Sequence, residues 1–303
     1  MTVPLPADNT EPIATLRKRW WQRYLNVQSK TDTRIRTVLT EAAQDAQDRI
    51  TALQQKPTFS AGVRTAQLRL AMTEMKSVHK DLFSDLLPII KDGQKDEAGA
   101  AIDGLTDTDL QYLRAAFSEA GDVESFIKSQ RVSALSHVTN AISRVTKTDQ
   151  PLSSRVYRTQ SLANHWIQNK INVALATGDG ARDLAKTVRS QILPNTAGGT
   201  SYASLRLGRT ELNNAFHATA ITASQDRPWI TGMRWYLSEV HTHRKGKIEI
   251  CETLADQVYD TDAVPAKPHP QCRCFVAPEV ETLDVFIRHL TAGQYRDWME
   301  NAA

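Results

Sequence analysis

Met233-Arg-Trp-Tyr-Leu-Ser-Glu-Val240 alternates apolar and polar side chains and carries two aromatics, the period-two signature of a strand half buried against a core. Upstream of it the chain reads almost wholly as helix, so this stretch decides the class. Just before it, Tyr202 to Ile221 places Leu205, Leu212, Phe216 and Ala220 on one helical side. Just after it, His241-Thr-His-Arg-Lys-Gly246 reads as a hairpin turn, with a second strand expected at Lys247 to Cys251. Val258 to Pro268, with its prolines and aspartates, predicts loop; Arg273 to Val276 predicts a third short strand. Thr282 to Met299 predicts one closing helix. The expected fold is α+β: a mostly helical N-terminal two-thirds, then a small helix-plus-β-hairpin module carrying a Cys/His cluster.

Working outward, Leu16-Arg-Lys-Arg-Trp-Trp-Gln-Arg-Tyr-Leu25 predicts a short terminal helix that packs Trp20 and Tyr24 on the core. Ile35, Val38, Leu39, Ala42, Ala46, Ile50 and Leu53 recur at helical spacing until Pro57. Leu68, Met72, Met75, Val78, Leu82 and Leu86 mark another helical face over Val63 to Leu87, and Pro88 is expected to end or kink it. The charged, Gly-containing stretch Ile89 to Gly104 reads as a connection or a frayed helix. Helices follow at Asp107 to Ala120, Val123 to Thr146, Ser153 to Thr177 and Asp183 to Ile192, with a loop at Pro194 to Thr200. The expected organisation is a helical region over 1–150, a second domain over 151–280 and a C-terminal helix over 281–303.

The 303 residues, at 41% hydrophobic and 23% charged, suffice for about two domains with a substantial core. Lys and Arg number 37 against 34 acidic residues, and residues 1–150 hold 20 against 19, too even for a protein that coats nucleic acid. No apolar run reaches the roughly 18 to 20 residues of a membrane helix. The Pro-rich start lacks a basic segment followed by an apolar one, so synthesis in a reducing cytoplasm is expected.

Cys251, Cys272 and Cys274 are the three cysteines, an odd number crowded into a short stretch. Clustering points to a local site rather than a disulfide framework. With His269 they form a tetrad of thiolates and imidazole suited to a structural zinc, whose four protein ligands leave no open position for water. The alternative reading is three small buried side chains. His241 and His243 could substitute for a missing ligand, but their place in an exposed turn makes solvated histidines the expectation. Arg206, Arg209 and Glu211 are candidates for ion pairs locking the helix to the hairpin through Glu211 or Glu239. No Gly-rich phosphate loop accompanies them, and the His-x-Glu with Pro-Cys-x-x-Cys of a zinc deaminase is missing.

The order of Leu205-Arg-Leu-Gly-Arg-Thr-Glu-Leu-Asn-Asn-Ala215, Trp235, Cys251 and Pro268-His-Pro-Gln-Cys-Arg-Cys274 resembles the phage Mu F-like minor head protein family, also called head morphogenesis proteins. Leu152-Ser-Ser-Arg-Val156 and Ala174-Leu-Ala-Thr-Gly178 resemble that family's helical lead-in, so the likeness covers about residues 150 to 278. It implies a minor capsid protein of a tailed phage, near the portal inside the procapsid, assisting head assembly, DNA packaging or delivery. Portal protein and a major capsid or scaffolding protein are the implied partners, with transient contact to packaged DNA; the protein would be made in the host cytoplasm and end in the virion. It implies no catalytic residue. Family members carry Cys-x-x-Cys where this chain has Cys251 and Leu254, which leaves Cys251, His269, Cys272 and Cys274 as the full tetrad. With about 25 residues beyond Pro278, no appended toxin or transferase domain is expected. The competing class is an enzyme, a zinc-dependent nuclease or an Arg/Glu-based ADP-ribosyltransferase.

Overall fold

The computed structural model describes residues 13–53, 61–117, 123, 125, 152–177, 181–194, 199–238, 241 and 249–302. The described chain is α+β, helical over its N-terminal two-thirds with a small sheet near the C-terminus. Five helices come first: α1 (Ile13–Leu53), α2 (Ala61–Ala116), α3 (Leu152–Thr177), α4 (Ala181–Ile192) and α5 (Gly199–Gln225). Then come β1 (Ile230–Tyr236), α6 (Ile250–Leu254), β2 (Val258–Tyr259), β3 (Phe275–Val280), α7 (Leu283–Thr291) and α8 (Arg296–Ala302). No helix among the described residues is long and apolar enough to cross a membrane.

Several expected boundaries move. The basic aromatic start and the helix from Thr33 are one helix, α1. Neither Pro88 nor the charged stretch after it interrupts α2. Lys91, Lys95 and Asp96 are exposed while Ile90, Glu97, Ala98, Ala101, Ile102 and Leu105 are buried, so the charges that suggested a connection form the wet face of an amphipathic helix. Burial on the other face offsets the backbone hydrogen bond that Pro88 cannot donate. The strand expected at Lys247 to Cys251 is replaced, over its described end, by the helical turn α6. There Glu249 caps the turn and its N–H donates to the Glu252 carboxylate at 3.3 Å, half of a capping box. Val258 and Tyr259, expected as loop, form β2. The single closing helix is two, because Gly293 takes φ +76° and stops α7 in the left-handed conformation that glycine adopts without penalty. The helix expected over Val123 to Thr146 and the turn over 242–248 lie almost wholly outside the described residues.

The chain forms two compact units. One comprises 29–93 and 148–211. Its described part is all helical, and Ile35, Leu39, Ala43, Ala46 and Ile50 of α1 are buried along with Leu68, Met75, Val78 and Leu82 of α2. Val156, Ile167 and Ile171 of α3 and Val188 of α4 complete the interior. The recurrence every three or four residues is what puts these side chains on one face of each helix.

The other unit comprises 1–28, 94–147 and 212–303. Its sheet has the order β2-β1-β3, antiparallel throughout, with Met233 opposite both Tyr259 and Pro278, and Tyr236 opposite Phe275. Trp20, Trp21 and Tyr24 of α1 pack with Phe216 of α5 and Phe275 of β3; the Trp21 and Phe275 rings stack at 4.4 Å. A second aromatic group, Tyr112, Trp229, Phe286 and Tyr295, gathers where α7 and α8 close the chain. Arg17 and Arg234 both reach the Glu279 carboxylate, at 2.9 and 2.7 Å, and the buried Arg227 and Asp109 pair at 2.8 Å.

Gly104 shows how closely α1 and α2 approach in this unit: a Cβ there would stand 2.2 Å from Cδ1 of Trp20. That ring is buried and cannot swing aside. Gly104→Ala should therefore destabilise the chain by about 1 to 3 kcal/mol through overpacking, despite alanine's better helix propensity. Urea midpoints for the two proteins measure this; a stabilised variant would contradict the packing.

Candidate metal centre

Three separate segments bring five donor side chains together. The turn α6 holds Cys251, the run before β3 holds His269, Cys272 and Cys274, and the chain leaving β1 holds His241. All three thiols are buried and free of disulfides.

The His269-Pro270-Gln271-Cys272 run is folded by its own sequence. The Cys272 N–H donates to the His269 carbonyl at 3.3 Å and Gln271 takes φ +59°, a turn with proline at its second and a left-handed residue at its third position. This bend returns Cys272 toward the histidine that precedes it. From there the chain enters β3 through Cys274. In α6, the helical turn directs Cys251 inward among Met233, Trp235 and Phe275.

The Cys251 sulfur lies 3.2 Å from His269 Nε2 and 3.5 Å from the Cys272 sulfur, and the Cys274 sulfur lies 3.8 Å from His241 Nδ1. Around a tetrahedral zinc, sulfurs stand about 3.8 Å apart and sulfur to imidazole nitrogen about 3.5 Å, so each of these three contacts is at or near the spacing of two ligands on one ion. A disulfide needs sulfurs at about 2.05 Å. The group can hold a metal ion, through His241, Cys251 and Cys274 and through Cys251, His269 and Cys272.

The electrostatics favour a cation at this place. Burial pushes the Cys251 thiol up to about 11. Cys274 is raised too, by its hydrogen bond with Cys272 and by burial, and the same hydrogen bond lowers Cys272. Lys267 carries the nearest fixed positive charge: its ammonium donates to the Cys274 carbonyl and lies 5.0 Å above the Trp235 ring. Burial lowers the lysine and the three thiols oppose that shift. Beside it, His217 is held neutral by burial, and its Nε2–H donates to the Pro265 carbonyl at 2.9 Å. Binding of a divalent ion would take the protons from the raised thiols and balance a thiolate charge that one lysine offsets only in part.

The four residues of the expected tetrad, Cys251, His269, Cys272 and Cys274, thus meet. His241 was expected in solvent, and its side chain is instead 7% exposed and aimed at Cys274. His243 and Glu239 lie outside the described residues. Lys267 and Glu252 also belong to the neighbourhood. The signal available for Glu252 was its spacing from Glu249, the pattern of a capping box; His241 was legible only as a substitute ligand, and nothing marked Lys267.

Arg206, Arg209 and Glu211 belong to the all-helical unit, the donors to the other. Arg209 grips Asp32 of α1 with Nε and Nη2, at 2.8 and 2.6 Å. Glu211, 1% exposed, meets Arg155 of α3 at 2.6 Å. Arg206 is exposed and its carbonyl accepts the Thr210 hydroxyl. The partners are on α1 and α3 rather than on the expected hairpin.

Comparison with protein-family models, with curated proteins and with solved structures gave no match.

Burial raises Glu211 to about 7, and Arg155 opposes the shift. Because folding raises this pKa, the acid form is favoured in the native state, and its stabilising effect is lost as pH rises through about 7. Arg155→Met should therefore cost about 3 kcal/mol or more at pH 8, where an unpaired carboxylate is buried, and clearly less at pH 5. Denaturation midpoints of both proteins at the two pH values test this; an equal loss at both would contradict it.

Proposed function

We infer that this chain is a minor head protein of a tailed bacteriophage, whose C-terminal module is fastened by a structural zinc ion. The observation that carries the reading is the donor set: three buried thiols and an imidazole, drawn from segments scattered over β1, α6 and the run into β3. Such a set completes a tetrahedron with protein atoms alone and leaves no position for a reacting water. Zinc would supply cross-linking there rather than chemistry. The ion would tie the long irregular stretch 260–274 to the sheet, where few ladder hydrogen bonds hold it.

The site supports an assembly role over an enzymatic one for a second reason. Arg209 and Glu211, the residues an Arg/Glu-based transferase would need free, are engaged by Asp32 and Arg155. The likeness of the Arg-Thr-Glu and His-Pro-x-Cys-Arg-Cys segments to Mu F-like head proteins names the assembly: the portal, with capsid or scaffolding protein around it, inside the head. The long helices α1 and α2 are the natural partner-facing elements.

Two measurements test the parts separately. The purified full chain should carry about one zinc per molecule by elemental analysis, as a closed Cys/His site does. Co-expression with the portal protein of its own phage should yield a portal ring of increased sedimentation rate. A metal-loaded chain that never shifts the ring would overturn the head-protein reading and leave the metal reading standing; a metal-free chain that shifts it would do the reverse.

A further inference from the structure

The centre has one donor too many. A tetrahedral ion takes four ligands, and three thiols leave a single place, yet two imidazoles face the sulfurs from opposite ends of the cluster. His269 presents Nε2 to Cys251 at 3.2 Å while its Nδ1–H donates to the Pro270 carbonyl at 3.1 Å. His241 presents Nδ1 to Cys274 at 3.8 Å, and the Glu252 carboxylate stands 3.4 Å from its Nε2, with Glu249 at 4.0 Å. Each ring thus turns one nitrogen toward the sulfurs and has an oxygen near the other, a hydrogen-bonded Pro270 carbonyl behind His269 and a Glu252 carboxylate within ion-pair distance behind His241, the placement of the outer contacts of metal-bound histidines. A histidine present only to pack would not need both.

We propose that His241 and His269 share the fourth coordination position, with His241 the stronger ligand and His269 exchanging with it. This rests on the metal reading above. The ranking follows from what backs each ring. A carboxylate behind an imidazole raises its basicity more than a peptide carbonyl does, and His241 has Glu252 and Glu249 where His269 has Pro270. The environments differ in the same direction: the His241 side chain is nearly enclosed, whereas His269 is partly exposed. An enclosed ligand with a carboxylate behind it and a wetter competitor beside it make a centre that keeps three sulfurs on the metal while its nitrogen ligand changes. Glu252 is then a positioning residue, acting on the ion only through His241.

The test uses the full chain and Co(II) as the probe, with affinity read by chelator competition and ligation by the sulfur-to-cobalt charge-transfer band. His269→Asn should weaken binding about tenfold and His241→Asn up to about a hundredfold, the span seen when a metal's supporting contacts are removed. Each single variant should keep one ion per chain and the full three-sulfur band, and the double variant should lose the ion. Glu252→Gln, which keeps an acceptor for the Glu249 N–H and so spares the turn α6, should weaken binding in the wild type and in His269→Asn but add nothing to His241→Asn. The proposal is overturned if one single variant abolishes binding and the other changes nothing, if Glu252→Gln and His241→Asn add, or if two ions bind per chain across Cys251. A wild-type chain that binds no cobalt and no zinc would instead remove the metal reading itself.

Discussion

Three thiols buried within reach of one another, with imidazoles and a lysine around them, are the arrangement on which the small sheet unit depends. Apolar packing alone explains burial of a cysteine, but not the convergence of donors from three segments at spacings of 3.2 to 3.8 Å. Between β2 and β3 the backbone makes little regular structure, and the chain from Asp260 to Cys274 is held by the turn at Pro270 and Gln271 and by single hydrogen bonds such as those from Gln225 to Thr261 and from His217 to Pro265. A cation held by these donors would fasten that irregular stretch to α6 and to the chain leaving β1. Beside them the Lys267 ammonium is held by the Cys274 carbonyl and the face of the Trp235 ring.

The all-helical unit is held differently. Its interior is aliphatic, and its polar fasteners are arginine-carboxylate pairs, Arg209 with Asp32 and Arg155 with Glu211. Such pairs fix geometry more than they add stability, since desolvation offsets much of the attraction. The Arg-Thr-Glu segment that looks chemical in the sequence thus spends its arginine and its glutamate on neighbouring helices.

The class, the helical faces and the cysteine tetrad were legible because each rests on a local pattern: periodicity for α1 to α5, alternation for β1, and donor clustering for Cys251, His269, Cys272 and Cys274. What was hidden is what local pattern does not encode. The charges of Lys91, Lys95 and Asp96 look like a connection because the buried face between Ile90 and Ile102 consists largely of small residues and the charged Glu97, which carry little hydrophobic signal. The turn α6 looks like strand in the sequence because five residues are too few for a period and only the spacing of Glu249 and Glu252 marks its start. His241 looked like a turn residue because its partners, Cys274 and Glu252, reach it only through the tertiary fold. The two compact units each collect separated segments, which a linear division into 1–150, 151–280 and 281–303 does not express.

X-ray absorption at the zinc edge on the purified full chain addresses the centre most directly, because it counts the sulfur and nitrogen neighbours of the ion itself. A first shell of three sulfurs at about 2.3 Å and one nitrogen at about 2.0 to 2.1 Å is the result expected of a closed structural site. A shell dominated by oxygen and nitrogen, or a chain that carries no metal at all, would contradict it.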